Sequence, residues 1–485
     1  LTTRRFEPSG PLRGSLRPPS DKSISHRAAL IAAMGEGETS VEGYLDAADT
    51  RSTLAAVEAL GARVLSSGWS GDRVGAPLNF FAGKTWSLDE RSGRRSTRRS
   101  APTRSPRGRE RILRVRGVGL RGPAPASIDV GNAGTLLRLL PGWLAGQCEG
   151  EWRVDGDESI RRRPVDRVAE PLRLMGARLR CREDRLPPLE IEGSPLRGIS
   201  YELPVASAQV KSCLLFAGLL AEGETRVIEP LPTRDHTERM LAAAGAELGD
   251  EAVPAAEGSA GREAGGRAVS IRPCERLEPG EIAVPGDFSS AAFFLLAALL
   301  TDGSEVVLEG VGLNPTRTGL LAILARMGAE IEVGAEGERG GEPVGTLIAR
   351  GSELRGTEVG GAEVPLAIDE LPLVALAACF AAGETTIRDA AELRRKESDR
   401  IATVVEALTA LGGRVEATDD GLLVEGSGGL RGGAVDSHGD HRIAMLGAVA
   451  GLASREGVEV AGMDAAAVSY PGFERGLASL TRAVT

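Results

Sequence analysis

The sequence predicts an α/β fold made from six copies of one unit, each running roughly strand–helix–strand–helix–strands. Three observations predict it. An apolar helix-like run, an acidic Gly turn and a β-rich stretch recur together six times. A second helix ending in Gly-Ala or a near variant follows five of those turns. The chain has 485 residues, which favours two hydrophobic cores over one.

In order, the first phrase reads LIAAMGEGETSVEG at 30–43, GWLAGQCEGEWRVDG at 142–156 and LLAEGETRVIEP at 219–230. It returns as LLTDGSEVVLEG at 299–310, CFAAGETTIRDA at 379–390 and GLASREGVEVAG at 451–462. The turn glycines, 37, 150, 223, 303, 383 and 457, fall 113, 73, 80, 80 and 74 residues apart. The second phrase, EALGARV, RLMGARL, AAAGAEL, ARMGAEI and TALGGRV, has its first glycine at 61, 176, 245, 328 and 412. A Gly there suits a left-handed helix C-cap with a strand beyond it. The sixth copy, GLASLTRAV, has lost the Gly. Chance Gly-Ala pairs explain one or two copies, not five in register.

The first spacing exceeds the others by 33 to 40 residues. The excess coincides with an Arg/Ser/Pro-rich stretch, 83–112, without periodicity, and a disordered insertion is expected there. A smaller polar loop is expected over 251–268.

Composition excludes several classes. No apolar run of about 18 residues free of charge exists, so nothing is expected to span a membrane. Residues 1–10 are polar and basic and lack a signal peptide's apolar stretch, so a cytoplasmic location is expected. Five widely spaced cysteines, with no C-x-x-C, suit reduced thiols rather than a disulfide frame or zinc knuckle, and they are read as inert core thiols. Net charge is −10, and residues 91–116 carry a local +10, leaving −20 elsewhere. A nucleic-acid partner is not expected. Only four lysines occur, Lys22, Lys84, Lys211 and Lys396, against 54 arginines. Lysine, unlike arginine, can shuttle a proton.

A polar phrase fronts the first helix of every unit. These are Ser20-Asp21-Lys22-Ser23, Gly131-Asn132-Ala133-Gly134-Thr135, Ser207-Ala208-Gln209, Gly286-Asp287-Phe288-Ser289-Ser290, Asp369-Glu370 and His438-Gly439-Asp440-His441-Arg442. Most of these are good N-caps, and capping suffices for Asp287 and Ser289. Capping does not explain Lys22, Arg27, Lys211 or Arg442, because a first-turn cation opposes the helix dipole. Such a cation makes sense beside a bound anion. Charge also fronts several second helices: Asp49-Thr50-Arg51, Arg161-Arg162-Arg163-Pro164 (Pro at the expected first helical position), Arg234-Asp235-His236 and Arg394 to Arg400. Arg161, Arg162 and Arg395 read as a solvated face; Arg163, Arg234, Lys396 and Arg400 read as site residues.

The ordered motifs S-D-K-S-x-S-x-R, G-N-A-G-T, R-P, S-A-Q-x-K, R-D-H-T-E, I-D-E-L-P, R-x-K-E-S-D-R and G-D-H-R-x-A-M closely resemble the 3-phosphoshikimate 1-carboxyvinyltransferase (EPSP synthase) family. The resemblance runs from about residue 10 to the C-terminus, apart from 83–112. It implies an inside-out α/β barrel: two similar domains of three βαβαββ units each, with helix N-termini pointing inward. The domains would be 21–276, and 1–20 with 277–485. It also implies transfer of the enolpyruvyl group of phosphoenolpyruvate to the 5-hydroxyl of 3-phosphoshikimate by a monomer, without metal or cofactor. By motif, Lys22, Ser23, Arg27, Ser207, Ala208, Gln209, Arg234, Asp369 and Lys396 would hold 3-phosphoshikimate. Lys22, Asn132, Gly134, Arg163, Gln209, Arg400 and Arg442 would hold phosphoenolpyruvate. Asp369 would take the hydroxyl proton, and Lys22 or Glu397 would serve the methylene carbon. A lysine that some members carry near the C-terminus is Val468 here.

The nearest rival is the UDP-N-acetylglucosamine enolpyruvyl transferase, which typically has a reactive Cys before an Arg-Pro-like phrase. The matching stretch, 156–163, has no Cys. A non-catalytic anion-binding module is a second rival, opposed by intact Lys22, Asp369 and Glu397. Deleting 83–112 is expected to spare enolpyruvyl transfer. A folded but inactive deletion variant would refute a passive loop.

Overall fold

The computed structural model describes residues 2–67, 112–253 and 266–481. The segments 68–111 and 254–265, which carry most of the expected insertion and small loop, lie outside the described residues. The repeat is visible in the second unit. Strand Ala126–Asp129 pairs in parallel with Glu151–Asp155, and helix Gly134–Ala145 makes the crossover. Helix Asp166–Leu174 follows, and the hairpin Arg178–Arg182 and Leu186–Glu192 closes the sheet antiparallel. The described residues form five four-stranded sheets and one three-stranded sheet. The second helix of five units ends at Gly61, Gly176, Gly245, Gly328 or Gly412, with φ between +92° and +101°. L side chains rarely adopt this conformation, so glycine recurs there.

Helices lie inside and sheets outside. The first helix of each unit is apolar on nearly every side, as a fully wrapped helix must be. Phe288–Leu299 is buried at all its residues, and Lys22–Met34 from Ile24 onward. The strands alternate instead: Leu113 and Val115 point inward while Arg114 and Arg116 face out. Two inner helices approach closely, since a Cβ on Gly142 would lie 2.0 Å from the carbonyl oxygen of Cys213.

Two hydrophobic cores result, one drawn from residues between Ile24 and Val284, the other from Leu12 and residues between Phe288 and Leu480. Each is closed by a strand distant in sequence. Glu281–Ala283 pairs in parallel with Glu38–Glu42 in the first sheet, and Arg13–Leu16 pairs in parallel with Glu305–Gly312 in the fourth. The sixth unit is completed by Arg4–Phe6, antiparallel to Val458–Ala461. The boundary expected after 276 therefore moves. Leu277, Ile282 and Val284 pack into the first core, and the chain crosses at 285–287. The two crossings touch: Asp21 N donates to the Pro285 carbonyl at 2.8 Å and Asp287 N to the Pro19 carbonyl at 2.7 Å.

Other local expectations also shift. Ile112 is the first residue of a strand, opposite Ser67, so the insertion ends before it. Glu251–Val253 and Gly266–Ala268 pair as strands rather than loop. Pro164 stands ahead of its helix, which starts at Asp166 behind the cap Val165. Cys213 and Cys379 are buried, their thiols pushed up to about 12 by burial, but Cys148 is exposed and is not a core thiol. No described helix is long and apolar enough to cross a membrane.

Lys211 needs no external anion. It is fully buried, with Nζ 2.8 Å from Glu229 Oε2 and 2.6 Å from Glu238 Oε1. Removing one partner of a buried ion cluster leaves the others uncompensated. Lys211→Met is expected to destabilise the fold by about 3–5 kcal/mol in urea unfolding; a loss below about 1 kcal/mol would show that these charges are not coupled.

Candidate active site

The first turns of five inner helices, with Ile368 and Asp369 just ahead of the sixth at Leu371–Phe380, open onto one cavity of ≈ 1080 Å³ between the two cores. Asp21 caps the first helix by accepting from Ile24 N, which sets Lys22 and Ser23 at the wall. Ser207 does the same for the helix at Ala208–Gly218, and Asp440 for His441–Ala453. No side chain caps Gly134–Ala145, whose start is Gly134 and Thr135. The charged phrases before the second helices supply the remaining wall: Asp49, Arg163, Arg234, and Arg394 to Glu397 with Arg400. Eleven Lys or Arg side chains line the cavity against six Asp or Glu. In a chain of net charge −10 this concentration selects anionic ligands.

Asp369 is the centre of the site. Its carboxylate forms an ion pair with Arg234 from across the cleft. It also lies 3.4 Å from Lys396 Nζ, 3.4 Å from Arg400 Nη1, 3.7 Å from Arg317 Nη1 and 3.8 Å from Arg442 Nη2. Burial alone would raise its pKa. The charges of Lys396, Arg234, Arg442 and Arg400 outweigh burial and hold it well below the usual carboxylate range.

Glu397 pairs with Arg400 at 2.6 Å and faces Arg163 at 3.7 Å. Burial opposes its charge, but Arg400 leads a set of neighbours that hold it well below its ordinary value. Lys22 donates to Asp49 Oδ2 at 3.0 Å, and Asp49 and Glu397 together overcome burial to raise the lysine's pKa. Burial, with Lys22 nearby, pushes His441 down to about 3, so this wall residue is neutral. Arg163 donates to Asn132 Oδ1 at 3.2 Å, fixing the guanidinium over Gly134. A Cβ on Gly134 would lie 2.7 Å from Arg163 Nη1. Arg138 donates to Gln209 Oε1 at 3.0 Å, and Gln209 donates to Thr135 at 3.1 Å.

All the site residues expected from sequence line this cavity except Arg27. Arg27 is buried behind the wall, donating to Thr237 Oγ1, the Ser23 carbonyl and Ser212 Oγ. Arg138, Arg167, Arg317 and Glu392 also line the cavity and were not singled out by the sequence. Arg138 is one helical turn after Gly134, a spacing that could have found it. Ser289, read as a cap, instead donates to Glu370 and accepts from Arg317 at 2.5 Å.

Among the described residues, one group could offer metal ligands: Asp235, His236 and Glu342, with ligand atoms within 4.8 Å of one another. Its carboxylate oxygens are already engaged. Asn314 Nδ2 donates to Asp235 at 2.7 Å and to Glu342 at 2.8 Å, and Arg239 donates to Asp235 at 2.9 Å. His236 Nδ1 lies 2.7 Å from the other Glu342 oxygen. The group reads as a hydrogen-bonded contact between the two cores.

The profile of the family described as EPSP synthase (3-phosphoshikimate 1-carboxyvinyltransferase) matches residues 6–74 and 105–477. The chain belongs to the EPSP synthase family. The break in the match falls within 75–104, overlapping the expected insertion, and every cavity-lining residue lies in matched sequence. Among curated EPSP synthase relatives, a 3-phosphoshikimate 1-carboxyvinyltransferase of Thermus thermophilus is 47% identical over 482 residues, 99% of each chain. One from Synechococcus sp. (strain JA-3-3Ab) is 45% identical over 471 residues, 96% of this chain and 94% of the relative. The solved EPSP synthase of Acinetobacter baumannii superposes with a TM-score of 0.76 at 38% identity, covering 98% of this chain and 97% of that one.

Proposed function

We propose that this chain transfers the enolpyruvyl group of phosphoenolpyruvate to the 5-hydroxyl of 3-phosphoshikimate, releasing phosphate and 5-O-(1-carboxyvinyl)-3-phosphoshikimate. The product feeds chorismate and aromatic amino acid synthesis. The carrying observation is Asp369: an ionised carboxylate ringed by cations in a cleft that six helix N-termini face. Both substrates are phosphorylated and carry a carboxylate, so they match this surplus of positive charge.

In this reading Ser207, Ala208, Gln209, Arg234, Lys396 and Ser23 hold 3-phosphoshikimate, with Arg27 bracing Ser23 from behind. Asn132, Gly134, Arg163, Arg400 and Arg442 hold phosphoenolpyruvate, with Gln209 and Lys22 between the two. Asp369 accepts the 5-hydroxyl proton as that oxygen attacks C2 of the enolpyruvyl group. The Lys22 ammonium gives a proton to C3, leaving a tetrahedral ketal phosphate. Loss of a C3 proton and departure of phosphate then complete the transfer. Asp49 and Glu397 raise the Lys22 pKa and so favour its protonated form, and Glu397 is held ionised by Arg400 and its neighbours. Substrate anions binding Arg400 and Arg163 would relax that hold and let Glu397 take the proton lost in elimination. Fixed cations supply positioning and charge stabilisation without reorganisation.

We further infer that the two cores act as domains closing over the substrates. Pairs already crossing the cleft support this: Arg167 with Glu392 at 2.8 and 3.0 Å, Arg163 with Glu397, and Arg234 with Asp369. One chain supplies the whole cavity, which suits a monomer, and the reading places it in the cytoplasm.

The first test is phosphate release from phosphoenolpyruvate with 3-phosphoshikimate, and in parallel with UDP-N-acetylglucosamine. Release is expected with 3-phosphoshikimate alone; release only with the nucleotide sugar would overturn the acceptor. Asp369→Ala is expected to lower kcat by about 10²- to 10⁴-fold, and wild-type kcat would remove it as the base. Gly134→Ala should push Arg163 aside and raise the KM for phosphoenolpyruvate about tenfold, roughly 1.4 kcal/mol, at unchanged thermal stability. An unaltered KM would misplace that subsite.

A further inference from the structure

Arg317 belongs to none of the recurring motifs. It lies between the strand Glu305–Gly312 and the helix Gly319–Arg326, and its side chain is 5% exposed. It reaches Asp287 Oδ1 at 3.3 Å, Asp369 Oδ2 at 3.7 Å and Asp21 Oδ2 at 4.0 Å. Its Nη2 donates to Ser289 Oγ at 2.5 Å, and Ser289 donates to Glu370. Burial disfavours its charge, but Glu370, Asp21, Asp287 and Asp369 together raise its pKa. Asp21 and Asp287 cap the helices that follow the two chain crossings. One guanidinium thus joins both crossings to the carboxylate at the centre of the cleft.

The other four cations around Asp369 are Arg234, Lys396, Arg400 and Arg442. Under the proposed function all four also bind substrate phosphates and carboxylates. Their pull on Asp369 is then shared with bound anions. Arg317 is held by protein groups: the carboxylates of Asp287 and Asp21 and the Ser289 hydroxyl. Arg400 is anchored as firmly, by Asp440 at 2.8 Å and Glu397 at 2.6 Å, but it is assigned to phosphoenolpyruvate and Arg317 is not.

We propose that Arg317 is a positioning residue for the transfer, the cation that serves Asp369 without being shared with substrate and that fixes its carboxylate to the chain crossings. This rests on the reading of Asp369 as the base. A carboxylate that keeps a cation stays ionised to lower pH. The acid limb of the kcat–pH profile reports that ionisation in the loaded enzyme.

The test compares the full-length wild type with Arg317→Gln and Arg317→Lys, using kcat, both KM values and the kcat–pH profile. Absence of wild-type turnover would sink the proposed function and this role with it. Given wild-type turnover, Arg317→Gln is expected to lower kcat by about 10- to 100-fold with both KM values nearly unchanged. Its acid limb should move up by about one pH unit. Arg317→Lys should regain part of kcat and return the limb to its wild-type position, because it restores the charge but not the fork. A folded Gln variant with wild-type kcat and limb overturns the proposal. So does a raised KM at unchanged kcat, which would make Arg317 a substrate ligand. Should the Gln variant fail to fold, Arg317→Lys decides: a several-fold loss of kcat at constant KM supports the role, and wild-type kcat overturns it.

Discussion

Each helix N-terminus carries about +0.5 elementary charge from its unpaired amides, and six of them meet at one cleft. The adjoining side chains add positive charge rather than cancel it. Such a site is strained against itself until anions enter, and the protein meets this with its own carboxylates. Asp21, Asp287 and Asp440 cap helices, Glu397 holds Arg400, Asp49 holds Lys22, and Asp369 is shared among five cations. The internal anions stand where ligand anions would otherwise be required. Asp287 shows the tension: burial, with Asp21 beside it, pushes its carboxyl up to about 6 although Arg317 is near.

Much of this was legible in the sequence because the repeat is local. Period, turn glycines and capping residues are properties of short windows, so the inner helices and their starts followed directly. The cations that line the cleft were legible for a related reason. A first-turn Lys22 or Arg442 contradicts the helix dipole, and contradictions of local rules gather at functional sites.

What escaped the sequence depends on contacts between distant segments. Lys211 breaks the same rule as Lys22, yet its anions are Glu229 and Glu238 of its own core. Only the packing of a strand and a second helix against Lys211 distinguishes the two. Arg317 follows no motif, and its partners are scattered from Asp21 to Asp369. Ser289 looked like a cap because capping is a local function, and its partners Glu370 and Arg317 lie far along the chain. The boundary at 276 was misplaced because Glu281–Ala283 joins a sheet whose other strands come from the start of the chain.

That strand exchange has a consequence for how the molecule is made. During synthesis Arg4–Phe6 cannot find its place until Val458–Ala461 has emerged, and Arg13–Leu16 must wait for Glu305–Gly312. The first sheet likewise stays one strand short until Glu281–Ala283 arrives. Strands near the start of the sequence are therefore among the last to be satisfied, and such long-range closure is slow. Unpaired strand edges stay open for most of translation, which exposes the nascent chain to misassociation. The second half is therefore not a contiguous piece, and the cleft is completed only when the start of the sequence meets strands that lie near its end.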